Sequence, residues 1–174
     1  MSDLMLRLSN VDERILGSVV RHRRPILDAM MRGVTRLADV RVIVPVTLAL
    51  AFGAVPELEG TGRLALRSLI VSHLMVQLLK RRICRPRPLA LSCLVDPEDL
   101  FSFPSGHATA ALSVALPLSS AFGGFLGIVV VLLGLSIGLS RCYLGVHYPS
   151  DVAVGWGLAT TTVVLMAILS GAPG

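Results

Sequence analysis

The sequence predicts an all-α integral membrane bundle of about five spanning helices, preceded by amphipathic helices lying on the membrane. Three observations carry this. Of 174 residues, 53% are apolar and only 16% charged, whereas an average soluble domain has about 25% charged residues. The mean hydropathy is +0.75, too high for a wetted surface. Charge is also missing in blocks. No Asp, Glu, Lys or Arg occurs over the 41 residues from Leu100 to Ser140, the 23 from Val152 to Gly174, or the 15 from Val42 to Pro56. Disorder is excluded by so much apolar material. Three cysteines argue against a disulfide scaffold, and without a C-x-x-C pair or clustered histidines no zinc site is expected.

The elements follow from these blocks. The longest would make about 60 Å of helix, twice a hydrocarbon core of about 30 Å. It therefore divides, and Phe122-Gly123-Gly124 is the place for the turn. The expected crossings are Arg41–Val55, Gly62–Arg81, Ser105–Ala121, Gly124–Ser140 and Pro149–Leu169. The first is short, so its start is expected to reach back toward Asp39. Arg67 is near the end of the second, where it can snorkel, and Pro117 is expected to kink the third. Residues 1–40 form a separate amphipathic membrane-surface segment, and residues 41–174 the transmembrane domain. In the segment, Asp28, Arg32 and Arg36 recur every four residues, opposite an apolar face that suits an interfacial helix. Leu4–Val20 repeats the pattern more weakly, with Ser9 and Asp12 placed to cap its second half. Packing against the bundle is the plainer alternative, and a sixth crossing within residues 1–40 is another.

Three polar clusters punctuate the apolar chain: Lys80 to Pro88, Pro104 to His107, and Ser140 to Asp151. In an up-and-down bundle they fall at helix ends on one membrane face, where they form one shallow site. Lys80, Arg87 and Arg141 are fixed cations. Ser105 and Gly106 open a helix, whose backbone N–H groups and dipole attract an anion. Arginine gives planar paired hydrogen bonds to phosphate oxygens. His147 precedes Asp151 by four residues, so the carboxylate can take its Nδ1–H and leave Nε2 as a nucleophile. His107 is placed to protonate a leaving oxygen. This set fits phosphoryl transfer through a covalent histidine, with no carboxylate pair to hold a metal.

Lys80-x6-Arg87-Pro88, Pro104-Ser105-Gly106-His107 and Ser140-Arg141-x5-His147-x3-Asp151 resemble the three motifs of the type 2 phosphatidic acid phosphatase superfamily, complete and in order. The resemblance implies a metal-independent lipid phosphate or pyrophosphate phosphatase without cofactors. His147 would take the phosphoryl group, Asp151 orient it and His107 protonate the leaving alcohol. Lys80, Arg87, Ser105, Gly106 and Arg141 would bind phosphate. Its partners would be a phosphorylated lipid and the bilayer, with no role for nucleic acid. A lipid-to-lipid phosphotransferase would use the same intermediate, and a non-catalytic lipid-binding protein is the alternative of another class. The linker from Leu89 to Phe103 is only 15 residues, so an open site is expected.

Other residues have plainer readings. Arg81, Arg82 and Arg85 suit lipid headgroups. His73 suits a buried bond to a neighbouring helix. Trp156, between two glycines, suits packing. His22 suits the surface, and Cys84, Cys93 and Cys142 suit unpaired thiols in loops. Five crossings put 14 of the 16 Lys and Arg on the site's side. By the positive-inside rule this places a multi-pass cell-membrane protein with its site toward the cytoplasm.

Overall fold

The computed structural model describes residues 3–88 and 93–171, with side chains from residue 10. Seven α-helices are present among them: α1 (Asp3–Arg21), α2 (Pro25–Arg36), α3 (Val40–Ala51), α4 (Glu59–Ile83), α5 (Gly106–Phe122), α6 (Gly124–Tyr143) and α7 (Pro149–Leu169). Pro56–Ile83, Gly124–Tyr143 and Pro149–Leu169 are long and apolar enough to cross a membrane. With α3 at 12 residues and α5 at 17, the five-crossing expectation has three helices of clear spanning length.

Local chemistry sets the boundaries. α3 starts one residue early, at Val40, because the Asp39 side chain accepts from Arg41 N–H at 2.9 Å. It stops at Ala51, four residues short of the expected Val55, and Gly53 follows at φ +83°. The turn between α5 and α6 falls on Gly123 and Gly124, both at positive φ. α5 continues through Pro117 to Phe122. α6 outlasts its expected end at Ser140 because nothing before Gly145 breaks it, so Arg141 lies in its last turn.

α5 is the central helix. Its Ala111 and Val114 pack with Ile43, Leu69 and Ile137 from α3, α4 and α6. Its Leu112 and Ala115 pack with Ala159 of α7. Close approach is built into the sequence. A Cβ on Gly62 would lie 2.5 Å from the Ala51 backbone nitrogen, and one on Gly138 2.5 Å from Trp156 Nε1. Trp156 is thus a packing residue, as expected, and its neighbour Gly155 lets α7 lie against Ser105 and Thr109. At the far end Arg67 reaches Ser170 Oγ at 3.0 Å.

The N-terminal segment is docked on the bundle through part of its surface. α1 is continuous, so no second half begins at Ser9–Asp12. Leu16 is fully buried against Ala108, Cys142 and Val152, and Asp12 is 4% exposed. α2 puts Thr35 inside, while Ile26 and Met30 stay exposed.

Candidate active site

The three polar clusters meet as the topology requires. Lys80 ends α4, Ser105 caps α5, Arg141 ends α6, and His147 and Asp151 flank the start of α7. Pro149 opens that helix, and Asp151 accepts from Tyr148 N–H at 2.9 Å. Every catalytic or phosphate-binding candidate with a side chain is buried, from Asp151 at 0% to His107 at 8% exposed.

That burial corrects the expectation of an open site. The described part of the linker, residues 93–103, folds over the cations and places two carboxylates among them. (Residues 89–92 of that linker lie outside the described residues.) Lys80 Nζ donates to both Asp99 oxygens, at 3.0 and 2.8 Å, and to Phe101 O at 2.9 Å. Arg87 Nη2 donates to Asp99 Oδ1 at 2.8 Å. Glu98 Oε1 lies 3.3 Å from both His107 Nε2 and Arg141 Nη2. Burial would raise the Asp99 carboxyl, but the bonds from Lys80 and Arg87 outweigh it and hold the group below the usual carboxylate range. Arg141 also donates from Nη1 to Thr35 Oγ1 of α2 at 3.0 Å, while its buried Nε has no partner among the described residues.

His147 is held differently from the expectation. Its Nδ1 is 2.7 Å from the Ser102 carbonyl oxygen and 3.6 Å from Asp151 Oδ2. The backbone carbonyl is the direct acceptor, and Asp151 stands just behind it. On the ring's other side Nε2 is 3.3 Å from Arg87 Nη1. A carbonyl cannot donate and a guanidinium cannot accept. The two contacts together select the tautomer with hydrogen on Nδ1 and a lone pair on Nε2. Burial, with the nearby Arg141 and Arg87 charges, outweighs Asp151 and takes the His147 pKa down to about 4, so the ring is neutral at pH 7.

The start of α5 is partly occupied. Ser105 N–H donates to the Asp151 carbonyl at 3.0 Å, and Ser105 Oγ accepts from Ala108 N–H at 3.4 Å. These bonds leave the Gly106 and His107 N–H groups for an anion. A Cβ on Gly106 would meet only Val76 Cγ1 at 4.0 Å, so internal packing does not require glycine there.

Several plainer readings change. Arg85 is no headgroup ligand: it is paired with Asp12 and Asp151, each at 2.7 Å. His73 faces outward and meets Gln77 of its own helix at 3.4 Å, not a neighbouring helix. Cys142 is a buried residue of α6, not a loop thiol. His22 is exposed, as expected, and lies 2.8 Å from Ser18 O. Asp12, Thr35, Glu98, Asp99 and Ser102 were absent from the candidate set. Only Asp96-Pro97-Glu98-Asp99, an acidic run on a basic face, signalled itself in the sequence.

Comparison with known proteins agrees with this geometry. The PAP2 superfamily model matches residues 62–172. A decaprenylphosphoryl-5-phosphoribose phosphatase of Mycobacterium tuberculosis is 35% identical over 150 residues, covering 85% of this chain and 83% of its own. Phosphatidylglycerophosphatase B of Bacillus subtilis is 32% identical over 162 residues, covering 87% and 79%. The crystal structure of a transmembrane PAP2-type phosphatidylglycerolphosphate phosphatase from Bacillus subtilis superposes with a TM-score of 0.83 at 30% identity, covering 95% of this chain and 87% of that one. Buried cations, a neutral histidine aimed at them and a matching family profile converge on one conclusion: the chain is a phosphatase of the PAP2 superfamily.

Proposed function

We propose that the site hydrolyses a terminal phosphate on a membrane lipid through a phosphohistidine at His147. The observation that carries this is the tautomer, with Nδ1 held by Ser102 O and the Nε2 lone pair turned to Arg87. The arriving phosphate exchanges with the Glu98 and Asp99 carboxylates on Lys80, Arg87, His107 and Arg141. Nε2 attacks phosphorus in line, and the bond from phosphorus to the lipid oxygen breaks. His107, which takes up a proton from water as the phosphate dianion replaces Glu98 beside it, gives that oxygen its proton. Water then attacks the phosphohistidine, His107 takes a proton from it, and the nitrogen–phosphorus bond breaks to release inorganic phosphate. The cations stabilise the equatorial oxygens in both transition states, which is the work a metal would otherwise do.

The substrate class follows from relatives and charge. The Mycobacterium tuberculosis relative is named for a polyprenyl-linked phosphosugar and the Bacillus subtilis one for phosphatidylglycerophosphate. Both names describe a phosphate at the end of a lipid headgroup. On the five-crossing reading, 14 of 16 basic residues share the site's side, which supports a cytoplasmic site and a substrate made on the inner leaflet. The test is purified protein with a panel of lipid phosphates and pyrophosphates. Turnover should be highest on monoesters, and rapid quenching should trap an acid-labile phosphoenzyme that His147→Ala lacks. More than a few per cent of turnover in that variant would refute the mechanism.

A further inference from the structure

We propose that Asp12, on the N-terminal helix, is a positioning residue of this site, acting through Arg85 to hold Asp151 and Ser102 behind His147. The proposal rests on the phosphohistidine reading above. It concerns a helix outside the matched family region, which begins at residue 62.

Asp12 is a buried carboxylate whose contacts go to Arg85 and to Ser150 at the start of α7. Its Oδ2 accepts from Arg85 Nη2 at 2.7 Å, and its Oδ1 accepts from Ser150 N–H at 3.0 Å. The Ser150 hydroxyl also donates to it. Arg85 passes the constraint on. Its Nη1 donates to Asp151 Oδ1 and to Ser150 Oγ, both at 2.7 Å, and its guanidinium lies 4.1 Å from the Tyr148 ring centroid. Tyr148 N–H takes the second Asp151 oxygen, so neither oxygen can swing away from His147.

The same arginine fixes the second group facing Nδ1. Its carbonyl accepts from Ser102 N–H at 2.9 Å, and the Ser102 carbonyl is the 2.7 Å partner of His147 Nδ1. Both acceptors behind the nucleophile are therefore anchored on Arg85. Asp12 balances its charge and sets its rotamer. One turn along α1, Leu16 is seated in the core against Ala108 and Val152, which fixes where Asp12 stands. A buried ion pair adds little net stability when both partners are present, so this arrangement has its main effect on geometry. A misplacement of about 1 Å at a nucleophile costs on the order of a hundredfold in rate.

The experiment uses the full chain in detergent micelles with dilauroyl phosphatidic acid. Asp12→Ala should lower kcat at least tenfold with KM within twofold of wild type. Asp12→Asn, of the same shape, should recover part of the loss because its oxygen still accepts from Arg85. Asp12→Ala/Arg85→Ala should be no slower than Arg85→Ala, within twofold, since both changes break one chain of contacts. Arg14→Ala, exposed two residues on and on the opposite face of α1, is the control. The proposal is overturned by wild-type kcat in Asp12→Ala or Asp12→Asn, by a change confined to KM, or by losses that multiply in the double variant. It is overturned equally if kcat per folded molecule, from active protein counted after a thermal melt, is unchanged. If Asp12→Ala does not fold, Asp12→Asn carries the same comparison. His147→Ala in the same series reads the nucleophile separately, since turnover there refutes the phosphohistidine whatever Asp12 does.

Discussion

Phosphate binding at this site should be governed by competition with Asp99, and Asp99→Asn isolates that competition. Asn has the same shape and can still accept from Phe101 N–H, which Asp99 Oδ1 does at 3.2 Å. What it removes is the charge that meets Lys80 at 2.8 Å and Arg87 at 2.8 Å. Hydrogen bonds between charged groups are worth about 1.5–3 kcal/mol. The Asp99 side chain is 42% exposed, so water screens the pair, and a net effect of about 1–2 kcal/mol is reasonable. At about 1.4 kcal/mol per tenfold, inorganic phosphate should inhibit Asp99→Asn at roughly 5- to 30-fold lower concentration than wild type. KM for a lipid phosphate should fall in the same direction, with kcat little changed. Glu98, 59% exposed and 3.3 Å from its partners, should give less than about a threefold change as Glu98→Gln. The measurement is initial rate in detergent against added phosphate. An inhibition constant that stays or rises in Asp99→Asn would refute competition and make Asp99 a brace for Lys80 and Arg87.

Three further outcomes follow from the geometry. With His147 lowered to about 4 from its ordinary 6.5, its ionisation in the free enzyme should place the acidic limb of kcat/KM near pH 4, once the substrate's own second ionisation, measured separately, is removed. An enzyme limb at 6.5 contradicts this. The same shift costs stability as pH drops from 6.5 toward 4, since the unfolded chain binds a proton there that the buried ring refuses. Because the site's positive charge comes from Lys80, Arg87 and Arg141, EDTA should leave turnover unchanged while vanadate inhibits; activity lost to EDTA and restored by magnesium would count against the mechanism. On the cytoplasmic reading, a membrane-impermeant thiol reagent should label exposed Cys84 only after cells are opened, with buried Cys142 silent in either state; labelling of Cys84 in intact cells reverses the orientation.

The parts of the site legible in the sequence are those whose chemistry is local. Lys80 and Arg87, Ser105 to His107, and Arg141 to Asp151 each occupy a short stretch at a helix end, and alternation of apolar blocks is enough to bring those ends together. The parts that were not legible act across the fold. Asp12 on an amphipathic helix has the pattern of a solvated charge, and nothing in residues 1–40 marks it as a carboxylate that turns inward. Ser102 contributes a backbone carbonyl, a group every residue has. Thr35 shares α2 with a charged stripe that pointed to membrane contact. Arg85 was visible but misassigned, because its two carboxylate partners are 73 and 66 residues away. The span of α3 was overestimated at Val55 because apolar composition continues past Gly53, whose positive φ ends the helix.

Charge at the site also bears on which phosphate it accepts. Four cations reach it, Lys80, Arg85, Arg87 and Arg141, and four carboxylates face them, Asp12, Glu98, Asp99 and Asp151. Charges this deeply placed are costly unless balanced. Asp12 and Asp151 are tied to Arg85 and have little exposure, 5% and 0% in their side chains. Glu98 and Asp99 are 59% and 42% exposed and are the pair able to leave. Their departure removes two negative charges, and a phosphate monoester at neutral pH brings about 1.5 to 2. The exchange keeps the site within about one charge of balance, the difference being the proton His107 carries. A diester, with a single charge, would leave a cation buried without a partner. On the proposed mechanism, the carboxylates that cover the clamp therefore favour a terminal monoester over a diester before any contact with the lipid itself.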